Sequence, residues 1–139
     1  MKMIITLFTM LFVAHIGYSQ QLVQNINDIH KLKENEAAFI NKPLKDLLKE
    51  IKPKIETVVV FNDETASIFL FNFTTLEQQR KGEGNLADRL TLFVQVKESI
   101  PWQWEERPKG GELNWTRNDE EKCAKATVEK IEVLPENQD

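Results

Sequence analysis

The sequence predicts an α+β domain of two layers, a helix packed on a mainly antiparallel sheet of about four strands. Three observations carry this expectation. Residues from Ile55 to Phe73 hold two strongly apolar runs, split by the polar turn Asn62-Asp63-Glu64-Thr65. In NKPLKDLLKEIKP, Leu44, Leu47, Leu48 and Ile51 fall at i, i+3, i+4 and i+7, one apolar stripe on a helix. Two more strand-like runs follow, Leu90–Lys97 and Ala126–Leu134, with a short helix start between them. The order helix, strand, strand, strand, short helix, strand suits a sheet with helices on one side.

The N-terminal residues read as a targeting signal. Lys2 gives a basic start, IITLFTMLFVA an apolar core, and Gly17-Tyr18-Ser19 the small-x-small pattern of a cleavage site before Gln20. The segment resembles bacterial export signals. A bilayer span needs about 20 apolar residues, and His15, Gly17 and Tyr18 end this run too early. The expectation is an exported protein, periplasmic or extracellular, with signal peptide 1–19, no membrane span after cleavage, and one domain over 20–139. Cleavage leaves 139 − 19 = 120 residues and removes one lysine, so 17 basic residues face 22 acidic ones, a net of −5. An acidic domain without a basic stripe argues against nucleic acid as a partner.

Gln21 to Glu36 places Leu22, Ile26, Ile29 and Lys33 at roughly helical spacing, a helix laid on the domain or a partly ordered arm. In the helix that follows, Asn41 is the expected cap, Pro43 sits in the first turn, and Pro53 is the expected stop. The hairpin comes next. Strand side chains alternate between faces, which puts Ile55, Thr57, Val59 and Phe61 on one side and Val58 and Val60 on the other. Ile68 and Leu70 then oppose Phe69, Phe71 and Phe73. A sheet with one wet face shows polar residues at every second position, and this pair does not. Both faces are therefore expected to be covered, by this chain or by a partner.

TTLEQQRKGEGNLADR reads as a solvated connection, with a turn of helix near Leu76 or Leu86. Leu90, Leu92, Val94 and Val96 face the core, against Thr91, Gln95 and Lys97, with Phe93 as the exception. Asn118 is the expected cap of the short helix, with Glu121 three residues on and an end near Lys125. The alternation of Val128 with Glu129, Lys130 and Glu132 suits an edge strand. Residues after Pro135 read as a polar tail.

Chemistry-bearing residues are sparse. His30 is the one histidine after the signal and Cys123 the one cysteine, too few for a zinc-type cluster, so neither metal nor cofactor is predicted. Cys123 admits no intramolecular disulfide and is expected to pack as a small hydrophobe. GEG at 82–84 lacks the strand-to-helix setting of a phosphate loop.

PWQWEERPKGGELNW gathers all three tryptophans, Trp102, Trp104 and Trp115, with Arg107 and Arg117 beside them. Two readings are open. Trp and Arg are enriched in binding hot spots, which makes the loop a recognition surface. Alternatively the loop folds over the hairpin and its tryptophans are core. The functional expectation is a non-enzymatic binding module for a protein or peptide partner, a glycan being the lesser candidate. A homodimer would be one way to bury an uncovered sheet face. The alternatives are a glycan or cell-wall hydrolase using Glu105, Glu106 or Glu112, and a structural or inhibitory protein pairing through the edge strand Ala126–Leu134.

Overall fold

Asp63 sets the first turn of the sheet. Its Oδ1 accepts the backbone N–H of Thr65 (2.7 Å) and of Ala66 (2.9 Å), and the Thr65 hydroxyl (2.9 Å). An aspartate that binds its own main chain in this way closes a tight turn. Strands β1 (Thr57–Asn62) and β2 (Ser67–Asn72) therefore pair antiparallel, Val60 opposite Phe69. The computed structural model describes residues 20–135, so the expected signal peptide 1–19 and residues 136–139 of the tail lie outside the described residues.

Strands β3 (Thr91–Val96) and β4 (Val128–Leu134) complete a four-stranded antiparallel sheet in the order β1-β2-β3-β4, with a register shift at Gln95/Val96. Among the described residues four short α-helices accompany it: α1 (His30–Glu34), α2 (Leu44–Leu48), α3 (Leu76–Lys81) and α4 (Arg117–Cys123). This is the α+β two-layer arrangement that the element order predicts. Among the described residues, no helix is long and apolar enough to cross a membrane.

The core lies on one face of the sheet. Val58, Val60, Phe69, Phe71, Leu92, Val94, Val96, Val128 and Ile131 point into it, against Ile29, Leu32, Leu44, Leu47 and Cys123 from the helical layer. The N-terminal segment is ordered, but as short turns about α1 rather than one helix. Asn25 caps a 3-10 turn at Ile26–Asp28, and Val23 bridges to Ile51 with hydrogen bonds to the Glu50 carbonyl and from the Lys52 N–H (both 2.9 Å).

Two caps differ from expectation. Asn41 does not cap α2; it sits at φ +64°, where Asn is tolerated, and its N–H donates to the Val128 carbonyl (2.8 Å). Pro43 takes the cap position, and α2 ends at Leu48, before Pro53 can act. Helix α4 starts at Arg117 rather than after Asn118. Thr116 is its cap, in a reciprocal capping box with Asp119.

Both sheet edges are partly closed by the chain itself. On β1, Val58 N–H donates to Leu113 O (2.8 Å) and Trp115 N–H to Glu56 O (3.1 Å). On the β4 side, Leu44 N–H donates to Ala126 O (2.7 Å) and Val128 N–H to Lys42 O (2.9 Å). The start of the edge strand is thus already paired. The connection 74–90 folds over one end of the opposite sheet face, where the Gln79 amide donates to the Thr57 hydroxyl (3.1 Å) and the Thr74 carbonyl (3.0 Å). Described residues leave the rest of that outer face open: Phe61 is 58 % exposed, and Val59, Ile68, Leu70 and Phe93 are half-buried.

Candidate functional site

The aromatic loop owes its position to the long β3–β4 connection. Where it leaves β3, the Ile100 N–H donates to the buried Ser67 hydroxyl (2.8 Å), and the Asn62 amide donates to the Ile100 carbonyl (2.8 Å). The chain then runs to the far edge, beside β1, before returning through α4 to β4.

This path lays the tryptophans on the phenylalanines of β2. Trp102 meets Phe69 edge-on (6.3 Å between centroids), and Trp115 meets Phe71 (5.1 Å) and Phe69 (6.4 Å) in the same way. Trp102 and Trp115 lie nearly parallel at 6.4 Å, and Trp104 packs its edge on Trp102 at 5.8 Å. Edge-to-face pairs of this kind add about 0.5–1.5 kcal/mol each beyond the area they bury. All three tryptophans are half-buried. They wall the core and still present one side outward, so the two readings of the loop both describe part of it.

Arg107 locks the loop. Its guanidinium lies 4.9 Å from the Trp102 ring centre and donates to both oxygens of Asp119 (2.8 Å each), to Glu112 O (2.7 Å) and to Asn114 O (2.5 Å). Lys122 also lies over the Trp102 ring, 5.7 Å from its centre, and donates to Pro101 O (2.6 Å). With its fork spent on internal acceptors, Arg107 holds architecture rather than a ligand. Asp119 is as deeply engaged. Burial pushes its carboxyl up, but hydrogen bonds from Arg107 and Thr116 outweigh that and hold it below the ordinary 3.8. Because the folded state lowers this pKa, the stabilisation is complete above the unfolded value and lost as pH falls through the folded one. Thermal stability should therefore drop below about pH 4, and Asp119→Asn should flatten that drop. An unaltered acid limb in melting scans of the variant would place the acid sensitivity elsewhere. Cys123 behaves as a packed hydrophobe: burial, then the neighbouring Asp119, push its thiol up to about 11.

Arg117 does not join this cluster. It stands on the first turn of α4 with a side chain 91 % exposed, loosely paired with Glu121 at 3.6 Å. It faces a groove of about 530 Å³ between the α2–β1 connection and the start of α4, lined by Leu48, Ile51, Ile55 and Trp115 with Lys52, Lys54 and Glu120. The sequence reading missed Lys52 and Lys54. Their signal was the alternation Ile51-Lys52-Pro53-Lys54-Ile55, which gives an extended segment an apolar and a basic side.

The carboxylates of the hydrolase reading lie on the aromatic loop. Glu105 and Glu106 are exposed on a 3-10 turn, and Glu112 accepts the Gly110 N–H (3.0 Å). A cavity of about 370 Å³ beside Trp102 brings Glu106 and Asp119 to its walls, but Asp119 is consumed by Arg107 and the helix cap. The chain matches no protein-family model, no curated protein and no solved structure, and the functional reading therefore rests on this geometry.

Proposed function

We propose that the protein is an exported, non-catalytic module that binds a protein or peptide partner through the Trp115/Arg117 groove. The observation that carries this is the groove's make-up: an apolar floor of Leu48, Ile51, Ile55 and Trp115 under a rim with three cations, Lys52, Lys54 and Arg117, against Glu120. Lys54 and Arg117 keep only loose partners, Glu56 and Glu121 at 3.6 Å each, and both cations are largely exposed. In a chain of net charge −4 they are thus free to turn to a segment with an apolar side chain flanked by carboxylates. Like-charged segments are rejected by the same rim. The floor supplies affinity through a Trp-walled pocket, where binding energy concentrates. Asp119, ionised and ion-paired at neutral pH, is not placed to donate a proton, which favours binding over acid–base hydrolysis. The pairing of Ala126 and Val128 with residues 41–44 takes up the start of the edge that a strand-pairing inhibitor would use, which leaves only its later residues for that role.

The test is titration of short peptides carrying Leu or Phe between acidic residues, read by tryptophan fluorescence and calorimetry. Lys54→Glu with Arg117→Glu changes two exposed side chains and should weaken binding at least about tenfold, roughly 1.4 kcal/mol, while basic peptides gain. Equal affinity in the double variant, or no acidic-apolar peptide bound below millimolar concentration, would sink the proposal.

A further inference from the structure

The open outer face of the sheet carries an ordered pattern. By strand register its side chains stand in two rows across β1 to β4: Phe61, Ile68, Gln95, Lys130, then Val59, Leu70, Phe93, Glu132. Three columns are apolar or nearly so. The fourth holds a cation in one row and an anion in the next. Phe61 is the most exposed large apolar side chain of the described residues, and Leu134 follows at 39 %. Over the neighbouring row the 74–90 connection touches Thr57 through Gln79 and, with Asn72, Thr91 and the flank of Leu70, walls a cavity of about 410 Å³, leaving the other side chains of these two rows uncovered.

We propose that a second copy of the chain covers this face, the two sheets packing face to face about a two-fold axis that crosses the strands between the rows. Such an axis sets each row over the other row of the partner. Phe61 then lies over the partner's Val59, Ile68 over the partner's Leu70, and Lys130 meets the partner's Glu132, with that ion pair formed twice by symmetry. An isologous interface requires this self-complementarity. A face that served an unrelated partner would not need opposite charges in one column at the row spacing. Aligned sheets about 10 Å apart are an ordinary way to bury two apolar faces. Within the chain, Glu132 also pairs with Lys33 (3.0 Å) and Lys130 lies 5.9 Å from the Phe93 ring, so both charges stand at the rim of the apolar patch. The patch is small. Its two rows stand roughly 7 Å apart along the strands and it runs about 15 Å across them, little beside the roughly 800 Å² per partner of a standard interface. The dimer is accordingly weak, with a dissociation constant on the order of 10–100 µM.

Sedimentation equilibrium of protein purified from cells expressing the full chain, from about 1 µM to 1 mM, reads this directly. The expected result is a concentration-dependent doubling of mass. Phe61→Asp, which alters an exposed side chain, should weaken association at least tenfold. Lys130→Glu and Glu132→Lys should each weaken it as well, since each sets like charges face to face. An equimolar mixture of these two variants should recover association, because the mixed pair alone restores both contacts. Retained shielding of the buried Cys123 from a thiol reagent certifies that each variant is folded. A mass that stays monomeric to 1 mM overturns the proposal. So does a dimer indifferent to Phe61→Asp, or a mixture that associates no better than its components.

Discussion

Arg107→Ala and Asp119→Ala should each lower the free energy of unfolding by about 3 kcal/mol, the low end of what breaking a buried ion pair costs. The two side chains are 15 % and 9 % exposed. Removing either leaves the other's charge among half-buried tryptophans without a counterion. Asp119 Oδ2 also accepts the Thr116 N–H (2.9 Å), so its loss removes one half of the capping box of α4, while the Asp119 backbone N–H still donates to the Thr116 hydroxyl (3.2 Å). Urea denaturation measures this, and the control is Arg117→Ala. That exposed pair with Glu121 should contribute no more than about 0.5 kcal/mol. Similar losses at Arg107 and Arg117 would mean that the Arg107 fork does not hold the loop.

Phe69→Ala should be the most destabilising single truncation, about 3–5 kcal/mol. The ring is fully buried, stacked on Phe71 at 5.6 Å, and receives the edges of both Trp102 and Trp115. Its loss opens a cavity under the aromatic wall, so tryptophan emission should shift red and become easier to quench. Phe61→Ala, on the open face, should change stability by under about 1 kcal/mol. Unshifted emission in a destabilised Phe69 variant would mean that the tryptophans are held by Arg107 and Lys122 rather than by the ring beneath them.

Much of the fold was legible because alternation and helical spacing are local properties. The four strands, the Leu44–Leu48 stripe and the Asp63 turn all follow from residues near one another in the chain. The helix caps were harder. Thr116 and Asn118 are both competent caps, and the choice falls on Thr116 because Asp119 serves its N–H and Arg107 together, a partner twelve positions away. The pairing of Asn41 with Val128 likewise joins residues that no local pattern connects.

The site divides along the same line. The sequence grouped Trp102, Trp104, Arg107, Trp115 and Arg117 by proximity in the chain. The fold places the first four in one cluster and turns Arg117 toward Lys52 and Lys54, which come from a different connection. By itself, then, the sequence determined the four strands, the Leu44–Leu48 helix, the acidic balance and the two-faced apolar hairpin. It left open which of those faces is the core, because Val58, Val60, Phe69 and Phe71 are no more apolar than Val59, Phe61, Ile68 and Leu70. Tertiary structure made that choice. The β3–β4 connection reaches β1 across one face, and it brings the three tryptophans to the side that holds Phe69 and Phe71, leaving Phe61 on the open side.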